Sequence, residues 1–167
     1  MIHIQQRGAR NFPVFFLIFA VVVIISFSSD ILKLGFPLKY APVVFEQAEK
    51  YELDPLLIMS MMRAESKYDK DAVSYADAKG LMQLTGDTFD VIRNNITVGD
   101  DIFDPVTNIT GSIWYLHYLY QNTADIRKAV MAYNSGLMNL GRNIPQTVIY
   151  TARVFEFYEI YKHLYSN

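Results

Sequence analysis

The chain has 167 residues, 51% of them hydrophobic and 19% charged, a composition that excludes intrinsic disorder and suffices for one domain with its own core. It contains no cysteine, which excludes disulfides, thiolate nucleophiles, cysteine-based zinc sites and a lipid-modified N-terminal cysteine. The formal net charge is -2 and no basic stripe runs through the sequence, so nucleic acid is not an expected partner.

Phe12 to Phe27 is almost wholly apolar, and Val14 to Ile25 is an unbroken apolar run. Arg7 and Arg10 precede it and Asp30 follows, so residues 1–11 form a positive flank expected to stay in the cytoplasm. Residues 12–29 are read as a transmembrane anchor or a signal segment. The apolar stretch is slightly short for the roughly 20 residues of a bilayer span and slightly long for a signal core of about 7–15. Ser26-Phe27-Ser28 is a weak cleavage candidate, and a buried core helix is the third reading. The anchor or the signal would place the remainder outside the cytoplasm, at the cell membrane or exported to the envelope. Residues 30–38, with Gly35 and Pro37, read as a linker, and residues 39–167 as the domain that carries the chemistry.

From there the periodicity is helical. Val43, Val44, Phe45, Ala48 and Tyr51 give an amphipathic spacing over Pro42 to Glu52. Asp54-Pro55 is an N-cap followed by proline at the first helical position, predicting a helix to about Lys67. Leu56, Leu57, Met59, Met61 and Met62 make that helix apolar on most sides, as a central buried helix requires. Residues 68–80 look irregular, and a short helix is predicted over Asp87 to Asn94. Asp104-Pro105 repeats the cap-and-proline start for a helix to about Gln121. Asp125 caps another, ending near Tyr133. Asn134 to Ile144, with Gly136 and Gly141, reads as a loop, and Pro145 opens a last helix to about Tyr165. No alternation with a period of two is long enough for a strand, so the fold class is all-α.

Glu65 falls near the C-terminal end of the apolar helix. A glutamate at a helix end is ordinarily a surface charge. Here an apolar run precedes it, and the helix dipole at that end disfavours a negative charge, so its proton is held more tightly. Such a group can act as a proton donor near neutral pH, as cleavage of a glycosidic bond requires. His3, His117 and His163 are far apart and form no ligand pair at helical spacing, so no metal and no cofactor are expected. Ser66 and Ser74 lack a motif-borne histidine, which disfavours a serine triad. Asp69, Asp71 and Asp77 are the nearest further carboxylates, and their density in a polar segment reads as a solvated loop rather than as a second catalytic group.

Glu65-Ser66, Ser74, Gly80-Leu81-Met82-Gln83-Leu84, Asn108-Ile109, Leu116, Ala132-Tyr133-Asn134-Ser135-Gly136 and Pro145-Gln146-Thr147 with Tyr150 follow one another in a fixed order. In that order and spacing the sequence resembles the soluble lytic transglycosylase catalytic domain over roughly residues 40 to 165. The resemblance implies a lysozyme-like, mainly helical fold that cleaves the bond between N-acetylmuramic acid and N-acetylglucosamine in peptidoglycan. It implies that Glu65 protonates the glycosidic oxygen and then takes the proton of the muramic C6 hydroxyl, closing a 1,6-anhydro ring. It also implies that Ser74 helps position the intermediate, that Gln83 and Asn134 hydrogen-bond the glycan, and that the Tyr133 hydroxyl lies close to the catalytic carboxyl. Tyr150 corresponds to an aromatic of the last helix near the cleft.

The sequence departs from the family pattern at several places. Asp77 stands where glycine is common, Thr85 where a methionine lines the sugar cleft, Gly86 where proline is usual, and Gln146 where glutamate is usual. These changes touch substrate fit, with Thr85 as a cleft residue, rather than the catalytic group. A goose-type lysozyme hydrolysis and a non-catalytic peptidoglycan-binding module of a wall-spanning apparatus are the alternative functions. The expected partners are peptidoglycan glycan strands and, through the N-terminal segment, the membrane; no protein partner is indicated.

Overall fold

The computed structural model describes residues 12–166, and within the first helix it leaves out the side chains of residues 12, 13, 20, 21 and 23–29. The described chain forms two compact units, one ending at Pro37 and one beginning at Leu38.

The first unit is one helix, α1 (Phe12–Gly35). It takes in the first part of the segment 30–38 expected as a linker, where the chain stays helical through Gly35. Ile31, Leu32, Lys33 and Leu34 continue the helix, and the stop comes where Pro37 drives residue 36 out of the helical region. Much of the segment expected to serve as anchor or signal lies outside the described side chains. Among the described residues no helix is long and apolar enough to cross a membrane.

The second unit is helical throughout: α2 (Ala41–Lys50), α3 (Pro55–Glu65), α4 (Gly86–Asn95), α5 (Pro105–Thr123), α6 (Ile126–Ser135) and α7 (Pro145–Tyr165), with a single 3-10 turn at Leu137–Asn139. Among the described residues there is no strand, only isolated bridges between Val73 and Lys79 and between Lys79 and Leu84. The predicted starts follow from local chemistry. Asp54 accepts from the Leu56 N–H at 2.8 Å, and Asp104 from the Thr107 N–H at 2.8 Å. Asp125 accepts from the N–H groups of Arg127 and Lys128 at 2.8 and 3.1 Å. Each cap satisfies orphan donors and contributes about 1 kcal/mol.

Helix α3 is the centre of the unit. Every residue from Leu56 to Met62 is buried, with α7 and α2 packed against the helix. Its one buried hydroxyl, on Ser60, donates to the Leu57 carbonyl at 2.7 Å, so that hydroxyl is satisfied within the helix. Helix α5 packs on α6, α2 and α4, and α6 packs in turn on α7. Just beyond α3, Tyr68 is buried and its hydroxyl bonds to that of Tyr161 on α7 and to the Met59 carbonyl.

Helix α3 ends at Glu65, two residues before the predicted end. Lys67 and Tyr68 have φ of 54° and 68°, outside the right-handed helical region. The Ser66 hydroxyl accepts the Tyr68 N–H at 3.1 Å, replacing the helical bond. Glu65 is therefore the last helical residue.

Candidate active site

The segment after α3 is held by side-chain to backbone bonds rather than by regular structure. The Ser66 hydroxyl donates to the Leu81 carbonyl at 2.8 Å, which pins the loop directly beside Glu65. Asn108, fully buried on α5, secures the same loop from the other side. Its Oδ1 accepts from the Met82 N–H at 2.8 Å, and its amide nitrogen donates to the carbonyls of Lys79 and Ile102 at 3.1 and 2.8 Å. Gly80 sits at φ +76°, and a Cβ there would fall 2.5 Å from the Asn108 amide nitrogen. The glycine of the Gly-Leu-Met-Gln block is thus required by backbone conformation and by close approach together.

These contacts shape a cleft of about 290 Å³ lined by residues that include Glu65, Ser74, Gln83, Thr85, Tyr133 and Asn134. Burial pushes the Glu65 carboxyl up from its ordinary 4.5 to about 7. A hydrogen bond from the Tyr150 hydroxyl to Oε1, at 2.6 Å, works against that rise because it favours the ionised form. Among the described lining residues Glu65 is the lone carboxylate. Asp69 is engaged with the Asp71 N–H at 3.0 Å, Asp71 pairs with Lys70 at 2.7 Å, and Asp77 with Lys79 at 3.1 Å. All three aspartates are exposed, as the sequence reading of a solvated loop expects. No group of three His, Asp or Glu among the described residues is placed to hold a metal ion.

The residues singled out in the sequence come together here, in different ways. Ser74 is exposed, and its hydroxyl accepts the Ala78 N–H at 3.1 Å while facing the cleft. Gln83 has φ +50°, and its amide nitrogen donates to the carbonyls of Gly80 and Ala72 at 2.9 and 3.2 Å, so it braces the loop that it also lines. Thr85 caps α4 by accepting the Thr88 N–H at 3.3 Å. Asn134 accepts from the Thr147 hydroxyl at 3.0 Å through Oδ1. The Tyr133 hydroxyl donates to the Met82 carbonyl at 2.9 Å. Its ionisation is pushed well up, first by burial and then by the nearby Glu65 charge. The hydroxyl that bonds the Glu65 carboxyl directly belongs to Tyr150, which does not line the cleft itself.

Sequence reasoning missed Tyr115, Thr88, Ala76 and Ala78, which also line the cleft. Tyr115 packs against Tyr133 with ring centroids 5.7 Å apart. Tyr115 lies in an aromatic-rich stretch of α5 whose periodicity does not distinguish a cleft residue from a core residue. The clamp function of Asn108 was equally hidden. Asn108 stands in the sequence as part of the Asn108-Ile109 block, and the sign of a clamp there is a polar side chain inside an otherwise apolar helix face, which burial without a partner would make costly.

The chain matches the family model described as "Transglycosylase SLT domain" over residues 42–153. It is 31% identical to membrane-bound lytic murein transglycosylase C of Actinobacillus succinogenes over 143 residues, which are 75% of this chain and 40% of that protein. With the protein of the same name from Yersinia enterocolitica the identity is 38% over 112 residues, 59% of this chain and 31% of the relative. The chain therefore spans well under half the length of these curated relatives. Its fold is similar to that of the 70 kDa soluble lytic transglycosylase of Escherichia coli, with a TM-score of 0.73 and 24% identity over 79% of this chain and 25% of that one. A lytic transglycosylase structure from Pseudomonas aeruginosa matches with a TM-score of 0.72 at 23% identity, over 79% of this chain and 25% of that one.

Proposed function

This chain belongs to the transglycosylase SLT domain family, and we propose that it is a peptidoglycan lytic transglycosylase that cleaves between N-acetylmuramic acid and N-acetylglucosamine and leaves 1,6-anhydro-N-acetylmuramic ends. One observation carries this reading. The cleft's lone carboxyl is held by burial at a pKa of about 7, so a protonated and an ionised form are both accessible near neutrality.

The chemistry follows from that group. Oε1 of Glu65 is engaged by Tyr150, and Glu65 lines the cleft. In the first step the Glu65 proton passes to the glycosidic oxygen as its bond to C1 of the muramic residue breaks, and N-acetylglucosamine departs as an alcohol. The substrate's acetamido oxygen stabilises the positive charge that develops at C1. In the second step the Glu65 carboxylate takes the proton from the C6 hydroxyl, O6 bonds to C1, and the acetamido group is released. Glu65 ends protonated, as it began, and no water is consumed. A single carboxylate therefore suffices, whereas the standard two-carboxylate schemes need a partner across the sugar.

Ser74, Gln83, Thr85, Tyr133 and Asn134 serve as the groups that hold the glycan in the cleft, and Tyr150 holds the acid in place. A goose-type hydrolysis would use the same acid but leave reducing ends. A purely binding module would have no use for a buried proton donor, which argues against that role. Residues 12–29 act as anchor or signal, with the catalytic unit outside the cytoplasm; the apolar run behind Arg7 and Arg10 supports this.

The test is muropeptide mass spectrometry on purified peptidoglycan treated with the full chain and with Glu65→Gln. The parent chain is expected to release anhydro-ended products. The variant should be slower by roughly 10²- to 10⁴-fold, the usual range for a general acid. Reducing ends from the parent chain, or undiminished release by the variant, would sink the reading.

A further inference from the structure

Tyr75 is the most exposed large hydrophobic side chain described, with a relative exposure of 110%. A tyrosine ring left wholly in water contributes nothing to the fold, since it covers no apolar neighbour. Its backbone, by contrast, is tightly fixed. The Ser74 N–H donates to the Ala78 carbonyl at 2.9 Å, the Asp77 N–H donates to the Ser74 carbonyl at 3.0 Å, and the Ala78 N–H donates to the Ser74 hydroxyl at 3.1 Å. Asp77 takes φ +59° to close the turn. Tyr75 is therefore carried outward on a pre-formed turn.

That turn belongs to the cleft. Ser74 and Ala76, on either side of Tyr75, both line it together with Glu65. Next to Tyr75 the turn offers Ser74, Ala76 and Asp77, all exposed, and Val73 just before it is the one further exposed large apolar side chain of the segment, so the apolar surface at the ring stays small. A protein-docking surface needs a contiguous apolar area. A lone ring with hydroxyl and carboxylate neighbours suits a pyranose instead, whose C–H face packs on the ring while its equatorial hydroxyls meet polar groups at the edge.

We propose that Tyr75 is a stacking platform for a sugar ring of the glycan strand at the lip of the cleft, and so a determinant of preference for long strands. This rests on the transglycosylase reading above. Because the turn is already formed, little order is lost when a sugar stacks there. The platform acts on strand binding and leaves the proton transfers at Glu65 untouched.

The experiment compares the full chain with Tyr75→Ala, Tyr75→Phe and Tyr75→Trp on purified glycan strands of graded length, reading kcat and KM separately. Expected for Tyr75→Ala is a KM on long strands raised roughly three- to tenfold with kcat retained, the scale of one lost aromatic contact. Tyr75→Phe and Tyr75→Trp should restore the parent KM, and the difference should vanish on strands too short to reach the lip. An unchanged KM for Tyr75→Ala on long strands, in a parent chain that does form anhydro ends, overturns the platform alone. A fall in kcat without a change in KM overturns it as well. A parent chain that neither binds nor cleaves glycan overturns both the platform and the reading beneath it. Hydrolytic products with the KM effect intact would remove the ring-closing chemistry and leave the platform standing.

Discussion

The two walls of the cleft are built by different physics. The wall bearing Glu65 is the end of α3, a helix whose residues Leu56 to Met62 are all buried, and its position is fixed by packing. The facing loop, with Ser74, Gly80 and Gln83, has little core of its own outside Leu81, Met82 and Leu84, and is fixed by single hydrogen bonds to Ser66, Asn108 and its own backbone. Packing is distributed over many contacts and tolerates small changes. A hydrogen-bonded loop depends on a few groups, each costly to leave unpaired once buried. The arrangement gives a rigid, desolvated acid opposite a wall whose shape is set by a handful of polar side chains.

The sharpest way to break that contrast is Asn108→Ala. It leaves the Met82 N–H and the Ile102 carbonyl without their partner and takes one of two donors from the Lys79 carbonyl, which keeps the Leu84 N–H at 3.0 Å. We expect a loss of roughly 3 kcal/mol in urea denaturation, with the proposed glycan cleavage falling along with it. A loss under about 1 kcal/mol would mean that the loop is held by packing after all.

Glu65→Gln probes the other wall through the pH dependence of stability. The folded-state pKa of about 7 lies above the ordinary 4.5, so the folded protein binds this proton more tightly than the unfolded chain. Its contribution is fully present below about 4.5, falls as pH rises toward 7, and stays lost above that. The variant should therefore be more stable than the parent at pH 8 by up to about 3 kcal/mol and nearly equal to it at pH 4. Denaturation curves at the two pH values check this; an equal difference at both would show a carboxyl that is solvated rather than buried.

The smallest expected effect joins the walls to α7. Removing the hydroxyl in Tyr150→Phe takes away the one bond that lowers the Glu65 pKa. In the parent chain activity should decline as pH rises through about 7, as the acid loses its proton. In Tyr150→Phe that decline should move to higher pH by about one unit. An unmoved or acid-shifted limb would place the control of the proton elsewhere.

What was legible in the sequence was local. The caps Asp54, Asp104 and Asp125 act on N–H groups two or three residues ahead, so the starts of α3, α5 and α6 could be read directly. The end of α3 falls two residues earlier than the periodicity predicts, because Lys67 and Tyr68, ordinary helix residues in sequence terms, take left-handed conformations. Of residues 30–38, read as a linker on Gly35 and Pro37, the part up to Gly35 is helical, because a helix stop shows in the sequence only at the proline that ends it. Glu65, Ser74, Gln83, Tyr133 and Asn134, which the motifs single out, line the cleft together with Thr85, which stands at a departure from the pattern; Tyr115 and Thr88 line it with no motif to mark them.

The sequence by itself determined the helices, their caps, and an acidic residue at the end of the most apolar one, because capping and periodicity act over a few neighbouring residues. Only the tertiary structure decided what surrounds that acid. Tyr150 bonds Glu65 across 85 positions, and Asn108 reaches Met82 across 26. Partners that far apart are chosen by how the helices pack, and so is the desolvation that holds the Glu65 proton near neutrality.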